Sequence, residues 1–322
     1  MPCRSLSAIL VEATEHSRVK VMPGVYSGPA NMGLSFVGKT LKMTSTHGFN
    51  DTVIDCEGAH GPVAIFSPSG NTQVTIDGFA IRNCMAKDGG AFVFRYLKMN
   101  RVGQVDGSGA DSSACSGIQE EGGVKVDTVG ADRCRKTPVF RNCYFYNNLA
   151  SGFGGAVYVK DGNPVFDNCI FFSNAANAGG AVYVRGGFPD FRSCSFYSNA
   201  AQLGGGGLYI NGGRVSVKQT RFQANAATRA GGAISISAGS IEAFDTKIVS
   251  NYAGEADGGV FQNGGASSFQ SCTQDANNIG PFASELLDQI QTRRQETHYG
   301  PNGFADPYVY TNPLAMSFEG AP

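Results

Sequence analysis

The sequence of 322 residues lacks several features that mark common functional classes. Its formal net charge is only −1 and it contains no basic block. Nucleic acids and anionic membranes are bound mainly through clustered positive charge, so neither is an expected partner. The apolar runs are short and interrupted by Gly, Asn or charged residues, and none is long enough to cross a bilayer. We therefore expect no nucleic-acid partner and no direct membrane insertion by this chain.

Ligands for metals and phosphates are also sparse. The four histidines, His16, His47, His60 and His298, are scattered and have no metal-ligand spacing. The glycines are numerous, but no Gly-Lys-Ser or Gly-Lys-Thr follows them, as a phosphate-binding loop would require. The sequence therefore predicts no metal and no other cofactor.

The N-terminal residues do not resemble a secretion signal. Glu12 and Glu15 interrupt the apolar stretch at 6–13, and no small-residue cleavage site follows it. Two expectations remain open: the protein is intracellular, or this chain is a piece of a longer precursor whose leader lies upstream.

What the sequence does contain is a repeat. A glycine motif begins at positions 154, 179, 205, 231 and 258, so that successive starts are 25, 26, 26 and 27 residues apart, as in GGAVYV, GGGLYI and GGAISI. A second motif lies between the copies, as in FYNN, FFSN, FYSN and FQAN. A fixed period in the twenties, without helical heptads, is typical of a solenoid.

Each repeat is interpreted as one coil. Aliphatic pairs such as Val157 and Val159 alternate with other residues and so face inward from a short strand. A turn and a second strand follow, and a third strand carries an inward Cys or Thr and an inward Phe. An asparagine then recurs at the same place, where its amide can bond to the next coil. We predict an all-β fold, a single-stranded right-handed parallel β-helix of about 26 residues per coil.

The predicted organisation has three parts. Residues 1–18 form a helical N-terminal cap, because apolar residues at 6, 9, 10 and 13 have helical spacing. Residues 19–278 form the β-helix, which is interrupted at 95–137 by an insertion rich in Gly, Ser and charge. Residues 279–322 form a C-terminal cap helix, over 282–295, and an irregular tail.

These motifs resemble those of known families. The GGA motif with its aliphatic pair, alternating with FxxN, resembles the repeat of chlamydial polymorphic outer membrane proteins. The strings VMPGVYSG, TVIDCEG and TIDGFAIRN are similar to those of pectin-lyase-like β-helices. The resemblance implies adhesion or display at a cell surface, and it supplies no active site.

The cysteines are interpreted by position. Cys143, Cys169 and Cys194 occupy one column, with Cys84 and Cys272 assigned to it in outlying coils. Neighbouring coils lie about 4.8 Å apart, whereas a disulfide prefers about 3.8 Å between Cβ atoms, so reduced, stacked thiols are expected. Cys115 and Cys134, in the insertion, either form a disulfide or remain free thiols.

Two outward aromatic rows are candidate binding residues. They are Tyr146, Phe172 and Tyr197 on one strand, and Tyr158, Tyr183 and Tyr209 on another. Rings about 4.8 Å apart can simply stack on each other. A flat row of exposed rings is equally suited to a sugar chain or a partner protein.

Asp55 and Asp77 are the alternative catalytic candidates, because each follows a similar Val-Ile or Thr-Ile pair. Paired carboxylates serve acid–base chemistry in glycoside hydrolases. No Lys or Arg constellation is evident beside them. The sequence favours a non-enzymatic surface or extracellular module that binds a polysaccharide or a cell-surface protein. The alternative is a polysaccharide lyase or glycoside hydrolase.

Overall fold

The protein is a parallel β-solenoid of about 8 turns with about 26 residues per turn, which confirms the predicted fold class. The structure, a computed structural model, describes residues 5–36, 39–66, 73–95 and 137–279, with two short strands at 98–99 and 105–106. Helix α1 (Leu6–Glu12) precedes the first strand. A single turn of 3₁₀ helix, Pro29–Asn31, lies in the first coil.

The first three coils contain nine short strands. They are β1 (Ser17–Val21), β2 (Gly24–Ser27), β3 (Leu41–Ser45), β4 (Thr52–Asp55), β5 (Ala64–Phe66), β6 (Val74–Asp77), β7 (Ala80–Arg82), β8 (Met85–Ala86) and β9 (Phe92–Phe94). An antiparallel pair, β10 (Lys98–Met99) and β11 (Val105–Asp106), follows within the insertion.

The remaining coils are the most regular. In chain order, the strands of these coils begin with β12 (Val139–Arg141), β13 (Tyr144–Tyr146), β14 (Leu149–Ala150), β15 (Val157–Val159), β16 (Val165–Asp167), β17 (Ile170–Phe172), β18 (Ala175–Ala178), β19 (Val182–Val184), β20 (Asp190–Arg192), β21 (Ser195–Tyr197) and β22 (Ala200–Gly204). The later ones are β23 (Leu208–Lys218), β24 (Arg221–Gln223), β25 (Ala226–Ala227), β26 (Ile234–Phe244), β27 (Lys247–Val249), β28 (Tyr252–Ala253), β29 (Val260–Gln262), β30 (Ala266–Gln270), β31 (Thr273–Asp275) and β32 (Asn278–Ile279).

These strands stack into four parallel faces. Face I contains β5, β9, β15, β19, the first parts of β23 and β26, and β29. Face II contains β1, β3, β6, β12, β16, β20, the last parts of β23 and β26, and β30. Face III contains β2, β4, β7, β13, β17, β21, β24, β27 and β31, and face IV contains β8, β14, β18, β22, β25, β28 and β32.

A regular coil therefore has four strands, where the sequence predicted three. The extra one is the short face IV strand, which begins directly after the recurring asparagine. Its residues are mainly alanines, as in Ala200 and Ala201, and both of these are buried. A short run of small residues shows no alternation of apolar and polar side chains, so this strand could not be predicted from the sequence pattern.

Phenylalanine fills the core. Inward rings of face III stack along the axis of the solenoid. The distance between ring centroids is 4.9 Å from Phe145 to Phe171 and 4.6 Å from Phe171 to Phe196. Face II supplies a second stack, in which Phe166 lies 5.1 Å from Phe191. Ring on ring contact at each coil step buries large apolar area and fixes the register, because parallel strands place identical positions one above another.

The asparagine ladder is present as predicted. Each side-chain amide donates to the side-chain oxygen of the next asparagine, at 3.0 Å from Asn174 to Asn199 and 2.9 Å from Asn199 to Asn225. The same oxygens also accept backbone N–H groups, as when Asn199 accepts from Asn174 at 3.0 Å. The left-handed turn angle falls on the preceding residue, for example Ser198 with φ of 52°. The asparagine therefore provides the hydrogen bonds, and the residue before it adopts the left-handed backbone angle of the turn.

The paired glycines have two different roles. Gly205 has φ of 59°, a left-handed angle that side chains disfavour. Gly206 instead lies against the next coil, where a Cβ atom would be 2.4 Å from the carbonyl oxygens of both Ala226 and Gly232. The motif recurs because one glycine turns the chain and the other allows two backbones to approach.

Helix α1 covers the open end of the first coil. Leu6 and Leu10 are buried in the core, and the Ser5 hydroxyl accepts the Ala8 N–H as an N-cap. At the other end of the helix, the Lys39 ammonium donates to the carbonyls of Leu10 and Ala13. The helix is shorter than the predicted 1–18 cap, since the chain enters β1 at Ser17. The predicted helix at 282–295 lies outside the described residues.

Candidate functional site

The outward side of face III carries a cluster of large apolar side chains that we call the aromatic strip. Strands β13, β17 and β21 place them in two adjacent columns across three coils. The strip consists of Tyr144, Tyr146, Ile170, Phe172 and Tyr197, all of them half-buried. Two of the three rings of the first predicted row, Phe172 and Tyr197, contact each other within it.

The rings of the strip are offset-stacked, and they do not form a flat platform. Phe172 and Tyr197 have centroids 5.6 Å apart and planes inclined by only 11°. Two coplanar rings would collide at that distance, so the parallel rings overlap face to face with an offset. In each stacked pair, Tyr144 with Tyr146 and Phe172 with Tyr197, one face of each ring is used by its neighbour. The remaining ring surface and the phenol oxygens are what the strip offers to a partner.

One end of the strip is held by a charged network. Arg82 donates from Nη1 to the Tyr146 hydroxyl at 2.8 Å and from Nε to the Asp55 carboxylate at 2.6 Å. Asp55 also accepts from the Asn83 amide at 3.0 Å and from the Glu57 backbone N–H at 2.9 Å. Burial lowers the pKa of Arg82, but its hydrogen bonds to Tyr146 and Asp55 outweigh burial and the net pKa is raised. Tyr146 is therefore oriented by a permanently charged neighbour.

Tyr144 is the most enclosed phenol of the strip. Its ring stacks on Tyr146 at 4.6 Å and meets the edge of Phe49 at 5.7 Å. Burial, with a smaller contribution from Tyr146, raises the pKa of Tyr144 to about 12. Its hydroxyl therefore stays protonated throughout the neutral range, where it can act as a hydrogen-bond donor.

The second predicted row differs from the expectation of exposed rings. Tyr158 and Tyr183 do point outward from face I, but they are only 8% and 5% exposed. The loop before the glycine pair folds back along this face, and Phe153 lies 4.5 Å from the Tyr183 ring. The Asn211 amide donates to the Tyr183 hydroxyl at 2.8 Å. Only Tyr209 remains half-buried, so this row is mainly structural packing.

Asp55 and Asp77 are not brought together. Asp55 ends β4 on face III, whereas Asp77 ends β6 on face II. Each carboxylate has a cation of its own, since Lys42 lies 3.2 Å from Asp77 and Arg82 lies 2.6 Å from Asp55. One cation beside each separated carboxylate is an ion pair and is not the clustered Lys or Arg constellation of a catalytic groove. Each cation lies on the strand that pairs with the strand of its carboxylate in the neighbouring coil, so the two partners are far apart in the sequence.

The predicted column of reduced thiols is confirmed for Cys143, Cys169 and Cys194, all buried and unbridged. Each thiol donates to a carbonyl two residues earlier, as from Cys143 to Arg141 at 3.2 Å. Burial, followed by the neighbouring thiols, raises the pKa of Cys169 well above its ordinary value. The column therefore behaves as protonated, small apolar packing. Cys272 continues it and is half-buried.

Cys84 was assigned to the wrong column. It occupies the asparagine position, where its backbone N–H donates to the Asn148 side chain at 3.1 Å, and Phe79 takes the thiol position. Cys84 is disulfide-bonded to Cys56 in the preceding coil, with a Cα separation of 4.8 Å. The disulfide thus replaces the amide ladder at its N-terminal end. Cys115 and Cys134 lie outside the described residues.

Removal of this disulfide is expected to destabilise the N-terminal coils. The bond closes a segment with a sequence separation of 28, for which the loss of unfolded-state entropy corresponds to about 3.5 kcal/mol. A Cys56→Ala/Cys84→Ala variant should show that loss in thermal unfolding. Dithiothreitol should lower the melting temperature of the unmodified chain by more than that of the variant. Equal sensitivity of both to the reductant would contradict the assignment.

Comparison with known proteins finds a similarity that is confined to one coil. Residues 142–160 match the model of the Chlamydia polymorphic membrane protein repeat. This segment runs from β13 to the end of β15 and includes Tyr144, Tyr146 and the ladder residue Asn148. Comparisons with curated proteins and with solved structures give no match. The similarity to pectin-lyase-like proteins therefore stays a prediction.

Within the part of the chain that the structure describes, no helix has the length and apolar character needed to cross a membrane. No group of three or more His, Cys, Asp or Glu residues is placed there to hold a metal ion.

Sequence reasoning missed three members of the site. Tyr144 and Ile170 are outward residues at the start of their strands, two positions before Tyr146 and Phe172. Strict alternation along the third strand would have found them. Arg82 was missed for another reason: it aligns with Tyr146 in the stack, although 64 residues separate the two. The long insertion between their coils hides that alignment.

Proposed function

We propose that the chain is a non-enzymatic β-helix module, displayed at a cell surface or outside the cell, that attaches to a partner through face III. The observation that carries the proposal is the aromatic strip itself. Five large apolar side chains remain half-exposed in three adjacent coils. Contiguous exposed apolar area of this kind on a soluble protein marks interaction surfaces.

Face II provides the contrast within the same coils. Several of its outward positions carry ion pairs, with Arg141 3.5 Å from Asp167 and Arg192 2.5 Å from Asp190. These are ordinary solvated positions of modest energetic value. Polar residues would be equally compatible with the outward positions of face III. The use of rings there, supported by the Arg82–Asp55 network, points to a surface kept for contact.

Two observations support the location. The matched repeat is that of a polymorphic membrane protein family. The disulfide between Cys56 and Cys84 is of a kind that persists in oxidising compartments. Adhesion or surface display is the role that agrees with both.

The test removes the exposed apolar surface and keeps the strands. A Phe172→Thr/Tyr197→Thr variant retains β-favouring residues while deleting two stacked rings. Labelled chain would be applied to an array of extracellular-matrix proteins and glycans. We expect the unmodified chain to bind at least one of them, and the variant to bind it at least about tenfold more weakly.

Tyr209→Thr is the matched control. Tyr209 is also half-buried and stacks on Tyr183 at 5.2 Å, but it belongs to face I. It should leave array binding unchanged. Equal binding by all three proteins, or no binding by the unmodified chain, refutes a binding role for face III. Release of unsaturated or reducing-end products from polyuronates would refute the non-enzymatic part.

A further inference from the structure

The two ends of the aromatic strip differ in charge. At the N-terminal end, Arg82 is neutralised by Asp55 at 2.6 Å. Beyond the C-terminal end, the column of Tyr144 and Ile170 continues through Ser195 to Arg221 and Lys247. The strip therefore ends at two adjacent cations, one coil apart.

Neither of these two cations has a carboxylate within salt-bridge distance among the residues that the structure describes. Arg221 donates to the neutral Gln223 side chain at 2.8 Å, and both cations are exposed. On face II, Arg141, Arg192 and Arg214 each form a salt bridge, while Arg18 and Lys20 form none among the described residues. Two cations without a salt bridge among the described residues thus lie next to the apolar strip.

The ring geometry favours a protein as the partner. Since the rings stack in pairs, each gives one face to its neighbour, and less ring face is left for a sugar to lie on. Ring edges, phenol hydroxyls and an arginine are the groups that protein interfaces use most, with apolar contacts at the centre and charges at the rim. Charge complementarity across a rim steers association and selects partners.

Resting on the binding role proposed for face III, we infer that the strip docks a protein segment that combines apolar side chains with acidic residues. The apolar side chains lie on Tyr146, Phe172 and Tyr197. The acidic residues lie over Arg221 and Lys247. The segment is therefore oriented with its acidic part toward the C-terminal coils.

A phage-displayed random peptide library, selected on the full chain and depleted on Phe172→Thr/Tyr197→Thr, tests this inference. We expect enriched peptides to contain apolar residues and an excess of Asp and Glu. Synthetic copies should bind an Arg221→Gln/Lys247→Gln variant about tenfold more weakly at low salt, with a shallower salt dependence. Arg18→Gln/Lys20→Gln removes two exposed charges from face II and should leave binding unchanged.

The outcomes separate the two proposals. Peptides that need the strip but show no acidic excess, or bind the Arg221→Gln/Lys247→Gln variant equally, overturn the acidic-segment inference and leave face III as a binding surface. Absence of any strip-dependent peptide overturns the inference of a protein partner. In that case the array of matrix proteins and glycans, with heparin included as an acidic glycan probe, decides the proposed function: strip-dependent binding to any probe keeps it, and none removes both.

Discussion

Replacement of Asn199 by alanine is expected to lower the free energy of unfolding by about 4 kcal/mol. The side chain is completely buried. It accepts from the backbone and amide nitrogens of Asn174, and it donates to the Phe171 carbonyl at 2.9 Å and to Asn225 at 2.9 Å. Alanine would leave these groups without partners in a region that water cannot reach, and each such group costs about 1–3 kcal/mol.

Urea unfolding followed by circular dichroism would measure the loss. Asn177→Ala is the control, because Asn177 belongs to face IV of the adjacent coil and is half-buried. Its backbone N–H bonds to Gly152, and a truncated side chain preserves that bond. If both substitutions changed stability by the same small amount, the ladder would not be a major source of stability.

Phe196→Ala is expected to be equally damaging, at about 4 kcal/mol. The ring is fully buried between Phe171, at 4.6 Å, and Phe222, at 4.5 Å. Its removal opens a cavity that rigid coil spacing cannot close, because both neighbouring rings are fixed by their own strands.

The adjacent residue supplies a matched comparison. Tyr197→Ala also deletes a stacked ring, but that ring is half-buried and lies on the outer side of the same strand. Its cost should be about 1 kcal/mol. The ratio between the two losses, measured by denaturant unfolding, reports which side of β21 faces the core. Similar losses would mean that the inward and outward assignments are wrong.

The repeat alone was sufficient to predict the solenoid, its period and its ladder. Positions such as Asn174, Asn199 and Asn225 recur at nearly constant spacing, and constant spacing in a solenoid places them one above another. The reduced thiols followed from the same spacing. Prediction was accurate wherever a residue's partner is its own equivalent in the next coil.

Prediction was less accurate where the repeat is broken. Cys84 precedes the insertion at 95–137, so that counting back from Cys143 placed it in the thiol column, and its bond to Cys56 was not seen. The separation of Asp55 from Asp77 has another origin, because both residues precede that insertion. Their local sequences are alike, yet one lies on face III and the other on face II.

The sequence pattern established which residues point out of the coil, but tertiary packing decided which of them meet solvent. Tyr158 and Tyr183 face outward as their strands require, and a loop carrying Phe153 covers them. Among the residues that the structure describes, no comparable loop covers Tyr146, Phe172 and Tyr197, which remain half-exposed. Alternation along a strand is a local property, dictated by backbone geometry. Burial depends on what other segments cross the same surface, and only the folded chain settles that.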